Sequence, residues 1–253
     1  MQRKYKVTDN FFADIDCEEK AYLLGFFLAD GGYELGNNCT KSYKFRICLQ
    51  EEDKEIVELF KEFIIPEKEL YYKRSYIDKR NVNHKSTYSI SWTSSKMAED
   101  LKLFNIIPAK TYDVDFEFPF ERIPDLYLWD FIRGFFDGDG QISFSDKTHQ
   151  STFALYGTSN KFMKKLGEIF EKEFNVLKRI EGIQKSNMIL YTLRFSANGK
   201  RLDFFTKLYE KYYTNKKYFM KRKQEKFLKY LNFRYRDNFE YLERIQSIVE
   251  RRE

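Results

Sequence analysis

The sequence predicts an α+β protein built from two similar halves, each running helix, two strands, helix, two strands, helix (αββαββα), with antiparallel sheets. Three observations predict it. An apolar stretch ending in Asp-Gly is written twice, AYLLGFFLADGG at 21–32 and WDFIRGFFDGDGQ at 129–141. The two copies keep strict register: Asp16, Tyr22, Leu23, Gly25, Phe26, Phe27, Asp30 and Gly31 stand at one constant offset from Asp125, Phe131, Ile132, Gly134, Phe135, Phe136, Asp139 and Gly140. A repeat that holds register over a whole helix marks a duplicated unit. Behind each copy the hydrophobic period changes from helix to strand and back in the same order.

Each repeated stretch reads as a helix with Asp16 or Asp125 at its N-cap, and Glu19 three residues after Asp16 completes a capping-box pattern. Gly31 and Gly140 are the expected helix stops. YKFRICLQEED at 43–53 and STFALYGTSN at 151–160 alternate like half-buried strands, and EIVELFKEF at 55–63 and FMKKLGEIFEKEF at 162–174 have helical spacing. A later strand and helix close each half, YSISWTSSKMAEDLKLF at 88–104 and YTLRFSANGKRLDFFTKLY at 191–209. Pro119 and Pro124 interrupt regular structure between the halves. The expected boundaries are a first half over 1–112, a linker over 113–124, a second half over 125–217 and a basic helical extension over 218–253.

With 253 residues, 42% of them apolar and 19% aromatic, the chain can bury a sizeable core. The excess of 45 Lys+Arg over 39 Asp+Glu, a net charge of +6, suits a phosphate-rich partner but is weak evidence for one. Cys17, Cys39 and Cys48 form an odd set without a CxxC pair, which argues against a disulfide framework or structural zinc and for a reducing compartment. With His84 and His149 as the only histidines, a His-based triad or multi-histidine metal site is excluded. Hydrolytic chemistry would rest on carboxylates, lysines and a metal. No apolar run approaches the roughly 18 residues of a membrane span, and the N-terminus lacks a signal-peptide core. A soluble intracellular protein is expected, and the Lys-, Asn-, Ile-, Phe- and Tyr-rich composition of AT-rich coding points to a bacterial or phage cytoplasm or an organelle. Beyond residue 215, Lys216, Lys217, Lys221, Arg222, Lys223, Lys226, Lys229, Arg234 and Arg236 meet Glu225 as the nearby acid. A solvated helix face and a phosphate-contacting one are equal readings of this stretch.

Glycine inside a helix costs about 1 kcal/mol relative to Ala, and close packing is its usual return. Gly25 and Gly134 are therefore expected to let the two repeated helices approach, bringing Asp30 and Asp139 side by side at their C-terminal ends. Two carboxylates at negative helix ends call for a cation. Magnesium, held by oxygen ligands and water, fits best, with Mn2+ or Ca2+ substituting for binding. A single Asp-Gly is most often just a turn, but two in register behind matching Gly-Phe-Phe helices are not well explained that way.

LLGFFLADG (23–31) and IRGFFDGDG (132–140) resemble the two LAGLIDADG motifs of the single-chain homing endonucleases, with the likeness running from about residue 16 to 217. The resemblance implies two αββαββα half-domains related by pseudo-twofold symmetry, saddle-shaped antiparallel sheets over the DNA major groove and motif helices packed at the interface. It places the metal-binding acids at Asp30 and Asp139, with Gly31 and Gly140 beside them in the metal site. It also implies a lysine near each scissile phosphate: Lys110, and Lys216 with Lys217 competing, although a solvated surface lysine is an equal reading. Gln50 is the one plausible polar helper at a strand end, where an ordinary exposed glutamine accounts for it better. Leu28 stands where the second motif has Asp137, so the earlier motif acid is absent from one copy.

The polar residues of the strands fall on one parity: Lys44 and Arg46, Ser89 and Ser91, Gln141, Ser143 and Ser145, Thr192 and Arg194. Phe45, Ile47, Ile90, Trp92, Ile142, Phe144, Leu193 and Phe195 would face the helices. Given the motifs, the polar face reads as a groove-reading surface, with Arg and Gln suited to guanine and adenine edges. Tyr71, Lys73 and Arg74 extend it in one half, and Lys178 and Arg179 in the other. The expected function is metal-dependent, site-specific cleavage of both strands of a long double-stranded DNA target by a monomer with no obligate protein partner, promoting homing of its own coding element. The alternative is an intron RNA maturase or DNA-binding regulator on the same scaffold.

Overall fold

The computed structural model describes residues 3–36, 42–109, 113–145, 147, 151–195 and 202–250. Its contacts divide the chain into two compact units, Met1–Lys110 with Phe118–Gly134, and Thr111–Glu117 with Phe135–Glu253. The architecture is α+β with antiparallel sheets, as the alternating patterns predict. Among the described residues no helix is long and apolar enough to cross a membrane.

In the first unit α1 (Glu18–Asp30) is buried continuously from Ala21 to Leu28, as a helix that is apolar all round must be. It is followed by β1 (Gly32–Leu35), β2 (Tyr43–Gln50), α2 (Lys54–Ile64), β3 (Tyr71–Lys73), a small hairpin of β4 (Tyr76–Ile77) and β5 (Asn83–His84), β6 (Thr87–Thr93) and α3 (Ser95–Lys102). The sheet order is β1-β2-β6-β3. Alternation along β2 buries Phe45, Ile47 and Leu49 and exposes Lys44, Arg46, Cys48 and Gln50. One face thus packs on helices and the other meets solvent. Phe45 lies directly opposite Trp92 and stacks on it at 5.4 Å, with Phe27 of α1 and Phe60 of α2 completing the aromatic cluster. Ser94 caps α3 by accepting from the Met97 N–H at 3.0 Å.

The second unit repeats the plan. α4 (Leu128–Asp139), whose first turns belong to the first unit, is followed by β7 (Gly140–Phe144), β8 (Ser151–Gly157), α5 (Asn160–Phe174), β9 (Arg179–Lys185), β10 (Met188–Phe195) and α6 (Leu202–Tyr213). The sheet order β7-β8-β10-β9 repeats that of the first sheet. Its aromatic cluster is also the same: Phe136 of α4 stacks on Phe153 at 5.1 Å, Phe153 lies opposite Phe195, and Phe170 of α5 stacks on Phe195 at 4.7 Å. Ser159 caps α5 through the Phe162 N–H, and Asn175 ends it in the left-handed region at φ 51°.

Several expectations need correction. The N-cap of α1 is Cys17, in extended backbone, and the Asp16 carboxylate pairs with Lys20 at 2.7 Å. Asp125 opens a 3-10 turn, Asp125–Tyr127, set up by Pro124, and α4 begins only at Leu128. Gly31 is extended (φ −81°, ψ 154°), so it does not stop α1 by a left-handed turn. It is needed because a Cβ there would lie 2.3 Å from the Phe27 ring. The β4–β5 hairpin, whose strands have two residues each, has no counterpart in the sequence-based expectation. Within the first unit Phe118 stacks on Phe131 at 4.4 Å, and within the second Phe116 meets Phe162 at 5.5 Å.

The basic extension forms α7 (Lys221–Tyr235) and α8 (Phe239–Glu250). α7 is not a solvated appendage, since Phe227, Tyr230, Leu231 and Tyr235 are buried. Phe227 packs on Phe153 and Tyr209, and Phe144 at the end of β7 stacks on Phe233.

Candidate nucleic-acid interface

In the first unit the exposed parity of β2 presents Lys44, Arg46, Cys48 and Gln50 on one face. An open cleft of about 500 Å³ at the end of α1 is lined by Asp30, Glu34, Lys44, Arg46 and Cys48 among others. Exposed Asp30 thus shares a cleft with two of the sequence-predicted cations. Glu34, a second acid facing this cleft and paired in register with Lys44, escaped the sequence reading. A neighbouring cleft joins Lys44 and Arg46 to Lys68, Tyr71 and Ser91. Lys68 was also missed. It donates to the Ser91 carbonyl and to Ser91 Oγ at 3.2 Å, and burial lowers its pKa.

Lys73 and Arg74 are exposed, and the Lys73 ammonium lies over the Tyr76 ring at 4.1 Å. The hairpin beside them turns through Asn81 at φ 65° and is organised by Asp78. The Val82 N–H, then Arg80 and His84, hold the Asp78 carboxyl down to about 2. Gln50 lines a different cleft from Asp30, and its Oε1 accepts from Lys85 Nζ at 2.9 Å.

In the second unit Gln141 is exposed and accepts from the Tyr156 hydroxyl at 2.5 Å, while Ser143 and Ser145 are half-buried. Arg179 and Arg194 stand opposite each other on the polar face, but Glu181 pairs with both, at 2.6 and 3.5 Å. Lys178 does not join that face. Its ammonium and backbone N–H engage Glu171 of α5, and its stem covers Gly167. Lys110 lies outside the described residues. Lys216 is half-buried and Lys217 exposed just after α6.

The motif helices carry the other constraints. A Cβ on Gly134 would lie 2.0 Å from the Tyr22 carbonyl oxygen, so the first turns of α4 touch the α1 backbone. Gly25 is buried within α1. Arg133, fully buried one residue before Gly134, donates to Asp130 at 2.8 Å and Glu18 at 2.9 Å. At the far end of α4, Asp139 and Gly140 are half-exposed, and Lys223 Nζ donates to the carbonyls of Phe136 at 2.7 Å, Gly138 at 3.2 Å and Gly140 at 2.7 Å. Asp137 is buried and accepts the Met220 N–H at 2.7 Å. That bond gives the second motif's extra acid a use in seating α7, whereas Leu28 at the matching place in α1 is core.

Among the described residues no three acid, His or Cys side chains gather as a preformed cage. In the first unit Asp30 and Glu34, which line one cleft, and in the second Asp139 at the end of α4 are each oxygen donors of the kind that suits a hard divalent ion keeping several waters.

No family model and no curated protein matches the sequence. Solved structures do. The homing endonuclease I-WcaI bound to its DNA recognition sequence superposes with a TM-score of 0.52 at 14% identity, over 79% of this chain and 83% of that one. The LAGLIDADG homing endonuclease I-GzeII in complex with its DNA target covers 91% of this chain and 96% of its own, at a TM-score of 0.48 and 14% identity. The N-terminal LAGLIDADG domain of DUF199/WhiA covers 83% and 94%, at 0.42 and 15%. With the doubled motif, the repeated sheet order and the superposition on I-WcaI, the chain has the LAGLIDADG homing-endonuclease fold.

Proposed function

We propose that the chain is a site-specific DNA endonuclease that hydrolyses both strands of a long double-stranded target with divalent metal ions and thereby promotes homing of its own coding element. The observation that carries this reading is the cleft joining the last acid of the first motif, Asp30, to Lys44 and Arg46 on the exposed sheet face. An acid alone is a turn residue. An acid opening onto a cationic, one-sided sheet is suited to a phosphodiester.

Lys44 and Arg46 hold the nucleic acid, Arg46 having the fork that matches a guanine edge. Lys68, with its proton affinity reduced by burial, and Tyr71 extend the surface along β3. In the second half Gln141, Arg179 and Arg194 do the same work, with Glu181 competing with the phosphates for both arginines. Asp30 and Asp139 are the carboxylates that would hold magnesium, one per half. The ion's chemistry is activation of an attacking water and charge compensation at the phosphate. Lys216 or Lys217 is the candidate to stabilise phosphate charge in the second half.

The test is incubation of the chain with a randomised duplex library and Mg2+, followed by sequencing of the cut ends. A defined target with paired breaks is expected, abolished in Asp30→Asn and Asp139→Asn while specific binding survives. Specific binding without cutting by the wild type would leave a DNA-binding protein on the same scaffold. A fully active double mutant would overturn the acid assignment.

A further inference from the structure

Lys223 lies in the segment that no repeat accounts for, yet it is only 8% exposed. Its ammonium sits at the C-terminal end of α4 and donates to three backbone carbonyls, those of Phe136, Gly138 and Gly140. Two of these belong to the immediate neighbours of Asp139 on either side. The ammonium also lies 5.2 Å from the centre of the Phe136 ring.

A helix C-terminus exposes unsatisfied carbonyls and carries about half a negative charge. A carboxylate placed there is disfavoured unless a cation is near, and α4 has no basic residue in its own last turn. Lys223 supplies that cation from another helix. α7 is held in place for this by the Met220 N–H on Asp137 and by Phe227 in the core. The last turn of α1 also lacks a basic residue, but the first half has no counterpart of α7, and the cations that share a cleft with Asp30, Lys44 and Arg46, come from the sheet.

We propose that Lys223 is a positioning residue for Asp139: it clamps the carbonyls on both sides of that acid and supplies the positive charge that lets a carboxylate stand at the end of α4. The proposal rests on reading Asp139 as the acid of the second half. It assigns the C-terminal extension a part in the chemistry of that half, and it makes the two halves unequal.

The test uses the full-length chain with Lys223→Gln, which keeps donors for the carbonyls but removes the charge, and Lys223→Arg, which restores the charge. Each is combined with Asp139→Asn and, as a control, with Asp30→Asn. In metal-free, DNA-free protein at low salt, equilibrium unfolding should show coupling between positions 223 and 139. Asp139→Asn should raise the folded-to-unfolded ratio at least about fivefold more in the Lys223→Gln background than in wild type, while positions 223 and 30 should not couple. Lys223→Arg should behave as wild type.

In DNA cleavage, Lys223→Gln should slow the strand whose cutting depends on Asp139 by at least about tenfold more than the other, so that nicked product accumulates, and Lys223→Arg should rescue it. If coupling is absent and both strands slow equally, Lys223 is only a fold clamp and the proposal is overturned. If the wild type cuts no DNA, the endonuclease reading fails, while the unfolding cycle still decides whether Lys223 acts on Asp139.

Discussion

Arg133 of α4 donates to Glu18 in the first turn of α1 at 2.9 Å, from a position with no exposed surface. The same guanidinium holds Asp130 at 2.8 Å and lies 5.4 Å from the centre of the Tyr22 ring, so one buried cation fixes the start of one motif helix against the start of the other. Removing one partner of a buried ion pair leaves the other charge uncompensated. Arg133→Met should therefore lower the stability of the first unit by about 3–5 kcal/mol, read by denaturant unfolding. Glu18→Gln, at a partly exposed position, should cost much less.

Gly134 gives a second stability prediction. Gly134→Ala places a methyl against the Tyr22 carbonyl, which is backbone and cannot swing aside. The loss should be at the upper end of the roughly 1–3 kcal/mol typical of overpacking, or beyond it. Gly32→Ala meets nothing within 4 Å and should be neutral or slightly stabilising. Equal melting temperatures for the two variants would refute this contrast.

How much of this was legible in the sequence depends on the range of the interaction. Phe45, Ile47, Trp92, Ile142 and Phe195 were readable as core because strand alternation is local, and the doubled Asp-Gly helices marked the repeat. Lys223, Arg133, Glu181 and Lys68 were not readable in their actual roles, since each acts through partners that only the fold brings to it. Lys178 was misplaced for the same reason: basic residues beside a strand look alike until Glu171 claims one of them. The β4–β5 hairpin was invisible because two-residue strands have no period to detect.

Salt dependence of DNA binding separates the cations already engaged within the protein from those available to a phosphate. Lys44→Ala or Arg46→Ala should each flatten the slope of log affinity against log salt by up to about 0.9 for every phosphate left without its cation. Lys178→Ala should leave the slope unchanged, its ammonium being held by Glu171. Glu181→Gln should tighten binding by releasing Arg179 and Arg194. Isotherms over a series of salt concentrations would decide each case.

The hairpin should respond to acid in one direction. Asp78 titrates normally near 3.8 when unfolded and about 2 when the Val82 N–H, Arg80 and His84 hold it. A lowered folded pKa contributes stability that is complete above 3.8 and is lost as pH falls through about 2. Amide exchange at Arg80 and Val82 should accelerate over that window, and Asp78→Asn should remove the transition.

The aromatic residues of α7 also set an order in time. Phe227 closes on Phe153, Phe205 and Tyr209, so the second sheet cannot finish its apolar layer until residues near Tyr235 have left the ribosome. The residues of the first unit end at Gly134. Synthesis from the N-terminus thus delivers all residues of the first unit before α7 exists, while the second unit waits with an open aromatic seam for almost its entire translation. A chain truncated just before α7 would carry that seam permanently, and aggregation of its second half is the cost of having placed part of a core in a helix that follows the sheet it completes.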